Sequence, residues 1–183
     1  RTSWINPRIT SLLIEWLADG YQCIWTHDAD QLEYADICFY LSYSKIVGQE
    51  TRAKFKNNLV VHESDLPQGK GWSPLSWQIL EGKNKIPVTL IEADERVDSG
   101  VIYAQEWMGF EGHELVDELR AAQAAMTRQL CRWFVDAYPE SLAQAKPQAE
   151  KESFYSRRLP KDSQLDPNKT IEKQFNLLRI VDN

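Results

Sequence analysis

Along the first twenty residues, Ile9, Leu12, Leu13, Trp16 and Leu17 recur three and four positions apart, which predicts a helix with one apolar face. Asn6-Pro7 opens it, Asn suiting the cap and Pro the first helical position, and Gly20 closes it. The period then changes. Tyr21 to Thr26 reads as a short strand. Ile37 to Ser42 is a near-continuous apolar run that suits a buried strand of a parallel sheet. A helix is expected from about Gln49 to Phe55. Leu59-Val60-Val61 is another buried strand, ending at His62. Ser73-Pro74 begins a helix that carries Trp77, Ile79 and Leu80 and stops at Gly82. Pro87 to Ala93 and Val101 to Trp107 read as strands around a polar turn. Leu115, Leu119, Ala122, Met126, Leu130 and Phe134 mark one long helix from Leu115 to Ala137. Phe154 to Arg158 is a candidate strand, and Asp166-Pro167 starts a closing helix with Ile171, Phe175 and Leu178.

Strands alternating with helices predict an α/β fold with a Rossmann-like, mostly parallel sheet flanked by helices. Such sheets bind ligands at the carboxyl ends of their strands, where His62 falls. The main unit is expected over residues 1–138. Residues 139–183 then form a polar linker with Pro139 and Pro147, followed by a short C-terminal extension and its closing helix.

Composition narrows the function. In 183 residues, 43% are hydrophobic and 26% charged, which suits a packed core rather than disorder. The net charge of −6 argues against nucleic acid bound mainly through its phosphates. No apolar run reaches the ~18 residues of a membrane span, so no membrane partner is expected. Cys23, Cys38 and Cys131 are far apart and odd in number, which suits a reducing cytoplasm. His27, His62 and His113 are also scattered, so no metal site is expected.

The chemistry concentrates between Asn58 and Gln105. H-x-S-x-L-P begins at His62, G-x-x-P-L-x-W at Gly71, V-T-L at Val88 and D-x-G-x-I-x-x-Q at Asp98. In that order and spacing the four pieces resemble the folate-dependent formyltransferases. The C-terminal F-Y-S-R-R-L-P-K-D-S-Q-L-D, with S-W-I-N-P near the start, resembles the bacterial amino-sugar N-formyltransferases of pseudaminic-acid-type pathways. That resemblance implies N10-formyltetrahydrofolate as donor and the amine of a nucleotide-linked deoxyamino sugar as acceptor. It implies His62 as the donor to the developing oxyanion and Asp98 as the group that orients the imidazole and takes the amine proton. It also implies a pterin cleft between Tyr43-Ser44-Lys45-Ile46-Val47 and Ala93-Asp94-Glu95-Arg96-Val97-Asp98, and a first strand ahead of Arg1. The segment from 1 to 138 would be the catalytic domain.

One position departs from the family. Its members usually carry Asn two residues before the His, where this chain has Val60. Ser64 and nearby backbone N–H groups are expected to supply the missing donor, since Asn58 is too far along the strand. Lys70, Trp72 and the start of the helix at Pro74 are expected to meet the acceptor. Other acceptors stay open: glycinamide ribonucleotide, methionyl-tRNA or a carrier-bound amino acid. Val60 also keeps open a non-catalytic binder of folate or sugar nucleotide. A homodimer is left open too. Each expectation has a plainer counterpart: His62 as a structural histidine, Asp98 as a turn cap, and Arg157-Arg158 as an exposed basic pair.

Overall fold

The computed structural model describes residues 3–181, so the strand expected ahead of Arg1 lies outside the described residues. The main sheet contains β1 (Ala35–Phe39), β2 (Phe55–His62), β4 (Lys85–Glu92) and β5 (Ile102–Gly109), in the order β1-β2-β4-β5. A second, two-stranded sheet pairs β3 (Lys70–Gly71) with β6 (Phe154–Tyr155) in parallel. In the main sheet β1 and β2 are parallel, while β4 is antiparallel to both β2 and β5. Three of the four strands therefore point the same way, with β4 reversed between β2 and β5. The helices are α1 (Asn6–Ala18), α2 (Gln49–Arg52), α3 (Pro74–Leu80), α4 (Val116–Asp136) and α5 (Ile171–Arg179). The expected α/β class holds.

Alternation along β2 separates core from cleft. Leu59 is fully buried, and with Val61 it packs on the apolar stripe of α4, through Leu119, Leu130 and Phe134. Trp16 of α1 stacks on Phe39 of β1 at 5.5 Å between centroids. Arg128 and Arg132 of α4 pair with Glu15 and Asp19 of α1, fastening the two helices together. Asn58, Val60 and His62 alternate with that set.

Several local expectations change. The helix expected to reach Phe55 ends at Arg52, and Phe55 already opens β2. Tyr21–Thr26 forms no strand, and Ile24 is 72% exposed, because no neighbouring strand ladders with it among the described residues. Asn6 does not cap α1: Ile5 holds that place, with Pro7 in the first turn. α5 starts at the Thr170 cap, whose hydroxyl accepts from Lys173 N–H, rather than at Asp166-Pro167. Residues 139–152 are not a free tether. They contain a short 3-10 turn (Glu140–Gln144) with Ser141 buried, and Lys146 exchanges two 2.8 Å backbone hydrogen bonds with Ile102 of β5.

Candidate active site

β2 carries His62 to its last position, and the chain turns at once: Ser64 N–H donates to His62 O at 2.9 Å. A cis Leu66–Pro67 peptide follows, and the loop returns as β3 beside the imidazole. His62 is 6% exposed, and its Nε2 lies 2.8 Å from Gly69 O. A carbonyl oxygen can only accept, so Nε2 carries the hydrogen. Nδ1, the other ring nitrogen, stands 3.6 Å from Asp98 Oδ2.

Asp98 arrives by a different route. After β4, Ala93 N–H donates to Asn58 O, and the 93–100 loop doubles back over the face of β2 toward His62. Gly100 makes that fold possible, since a Cβ there would lie 1.9 Å from Glu92 O. Asp98 itself adopts φ 50, the left-handed region that Asp tolerates better than most residues. Gly71 N–H holds its Oδ2 at 2.8 Å.

Two cavities meet at this pair. One, of about 210 Å³, lies between the 43–47 and 93–98 loops, over a floor of Tyr40, Val60 and Ile91. The other, of about 400 Å³, reaches from His62 and Glu63 toward Trp4 and α4, where Arg120, Gln123 and Thr127 line it. Tyr40, Ser44, Val60, Gly71 and Trp72 belong to both walls. All the expected pterin-loop residues, Tyr43, Ser44, Lys45, Ile46, Val47, Ala93, Glu95 and Asp98, line the first cavity.

Two expected site residues are placed elsewhere. Ser64 lines neither cavity: its hydroxyl is buried with no hydrogen-bond partner among the described residues, because the turn after His62 swings it off the strand face. Lys70 is 2% exposed, and its Nζ is occupied by Ser99 Oγ at 2.8 Å and Glu152 at 2.6 Å, leaving it unable to meet an anionic acceptor. Trp72 does stand at the boundary, with the Arg157 guanidinium 4.7 Å over its ring. Pro74 lines the second cavity.

Glu63 escaped the sequence reading. Burial pushes its carboxyl above the ordinary range, against the opposing pull of His62 and of a 2.6 Å hydrogen bond from Gln123 Nε2. Its only signal in the sequence is an acid between His62 and Ser64.

Comparisons with known proteins converge on one family. The formyl transferase sequence family matches residues 26–131. The fold is similar to methionyl-tRNA formyltransferase from Clostridium thermocellum, with TM-score 0.78 and 22% identity over 100% of this chain and 81% of that one. It is similar to a likely sugar N-formyltransferase from Mycobacterium tuberculosis, with TM-score 0.73 and 22% identity over 96% of this chain and 84% of that one. It is also similar to the formyltransferase PseJ from Anoxybacillus kamchatkensis, solved with UDP-4,6-dideoxy-4-formamido-L-AltNAc and tetrahydrofolate, with TM-score 0.55 and 21% identity over 79% of this chain and 80% of that one. The match over residues 26–131 spans both His62 and Asp98, and the chain belongs to the formyl transferase family of enzymes.

Proposed function

We propose that this protein moves a formyl group from N10-formyltetrahydrofolate to the amine of a nucleotide-linked deoxyamino sugar. The observation that carries the reading is the junction of two cavities at a buried imidazole and a carboxylate 3.6 Å apart. The smaller cavity suits a flat heterocycle, with an apolar floor and backbone-rich loops on either side. The larger cavity takes the acceptor. Trp72 under Arg157 offers a stacking and charged platform for a nucleotide. The C-terminal Arg157-Arg158-Leu159-Pro160 and the sugar nucleotide bound to PseJ both favour this acceptor class.

The reaction needs no further reactant. The neutral amine attacks the formyl carbon, the C–N10 bond breaks, and the proton lost by the amine ends on N10 of tetrahydrofolate. Because Nε2–H is committed to Gly69 O, the Nδ1 side of the His62 ring is the one that faces the developing oxyanion. Asp98 lies beside that nitrogen, and it receives the amine proton and relays it to the leaving group.

The test is a mass-spectrometric screen of nucleotide-linked amino sugars with the formyl donor present, using wild type, His62→Ala and Asp98→Asn. Formamide production by wild type, and its loss in both variants, is the expected result. Turnover surviving in both variants rejects the assignment. A specific observation favours a second reading: Val60 occupies the shared wall where the family usually has Asn. If wild type binds the donor yet formylates no amine, the protein is a binder.

A further inference from the structure

The two arms of the His62–Asp98 pair are held by a single loop. Gly69 O accepts from His62, and Gly71 N–H donates to Asp98. That loop in turn leans on the C-terminal segment. β3 ladders with β6, Gly69 N–H donates to Ser153 Oγ at 2.9 Å, and Lys70 N–H donates to Ser153 O at 2.9 Å. The same segment grips the Asp98 loop. Gln148 Nε2 is shared between Asp98 O at 2.8 Å and Gly100 O at 2.9 Å. Glu152 anchors Lys70, whose Nζ holds Ser99 Oγ. None of Gln148, Lys70 and Glu152 lines either cavity.

We propose that residues 146–155 are a strap that sets the separation of His62 and Asp98, with Gln148 and the Lys70–Glu152 pair as positioning residues acting through Asp98. The proposal rests on the reading of Asp98 as the proton acceptor. A polar segment with only a linker's duties would not commit a half-buried amide to two carbonyls of one loop. Asp98 also sits in a left-handed conformation that persists only when its surroundings hold it. A carboxylate that must meet an incoming amine tolerates little misplacement, and an error of about 1 Å costs up to about a hundredfold in rate.

The experiment is a double-mutant cycle. Gln148→Leu, Ser99→Ala and Glu152→Gln are each made in wild type and in Asp98→Asn, and kcat, both KM values and Tm are measured. Gln148→Leu should lower kcat about ten- to a hundredfold while moving either KM less than about twofold. In the Asp98→Asn background the same change should alter the residual kcat by less than about twofold, since no carboxylate remains to be aimed. Ser99→Ala and Glu152→Gln, which remove only hydroxyl or charge near the surface, should act in the same direction but more weakly. They carry the test if Gln148→Leu does not fold. Full kcat in all three variants, or equal losses in both backgrounds, overturns the strap while leaving the Asp98 reading intact. Wild-type turnover by Asp98→Asn alone overturns both.

Discussion

Replacing Val60 with Asn probes the weakest point of the site. Val60 and His62 are two residues apart on β2, so their side chains share a face with Cα atoms about 6.7 Å apart. Four donors near them are committed. His62 Nε2 is bonded to Gly69 O, Gly71 N to Asp98, Trp72 N to Tyr155 O, and the Tyr40 hydroxyl to Asn58 Oδ1 at 2.9 Å. On the proposed mechanism, the oxyanion would therefore face His62 Nδ1 without these four donors. One missing donor of this kind is worth about 2.7–4 kcal/mol, or 10²–10³ in rate. An amide introduced into a cleft not built around it will recover part of that, so kcat should rise about ten- to a hundredfold with KM for the donor little changed. Val60 packs only partly, against the Cys38, Tyr40 and Phe55 cluster, so the lost apolar contact should cost about 1 kcal/mol of stability. Val60→Asp is the control, since it has nearly the same shape and no N–H to donate. Single-turnover formation of the formamide is the assay. If Val60→Asn is no faster than wild type, or Val60→Asp gains as much, the oxyanion argument is wrong.

Other outcomes follow from local chemistry. Burial raises the Glu63 carboxyl, so its contribution to stability is complete below the ordinary carboxylate value of 4.5 and is lost as pH rises through the raised value. Urea midpoints of wild type should therefore fall relative to Glu63→Gln as pH increases, and the opposite slope would contradict the assignment. Glu114 behaves in the reverse sense. Burial alone would raise it, but N–H groups of the 111–114 turn outweigh that and hold it down to about 2. It pairs with Arg179, which is 1% exposed. Its contribution, about 1–2 kcal/mol after screening, is present above 4.5 and lost as pH falls toward 2, so a pH-independent difference between wild type and Glu114→Gln would count against it. Gly71→Ala should lower Tm by several degrees, because a Cβ at φ 95 would stand 2.6 Å from Tyr155 O and force β3 from β6. An unchanged Tm would show that the ladder yields freely.

How much of this was legible in the sequence depends on range. The apolar run ending at His62 marked a strand and its end, and Asp-Ser-Gly marked a tight loop, so both partners were visible. Their approach was not: it depends on β4 and on a loop that doubles back over β2. The direction of β4 was hidden because an unbroken run from Ile86 to Ile91 looks the same in a parallel or an antiparallel strand. Lys70 misled for a similar reason. Nothing local shows that its Nζ is taken by Ser99 and by Glu152, far along the chain. Ser64 falls just past the strand's end, and the direction its side chain takes is set by the turn that returns Ser64 N–H to His62 O. Gln148 gave no signal at all, being one polar residue in a polar stretch.

The same geometry bears on whether the site catalyses or merely binds. On the proposed reading, a folate pocket needs the 43–47 and 93–98 loops and their apolar floor. It does not need Asp98 held in a left-handed conformation beside His62. Nor does it need one loop to supply both the acceptor for His62 Nε2 and the donor for Asp98 Oδ2. Each feature constrains one thing only, the distance and orientation of a carboxylate relative to imidazole Nδ1. On the proposed mechanism, an arrangement held this way at a pair that touches both cavities would serve a reaction between their contents, despite the missing amide at Val60.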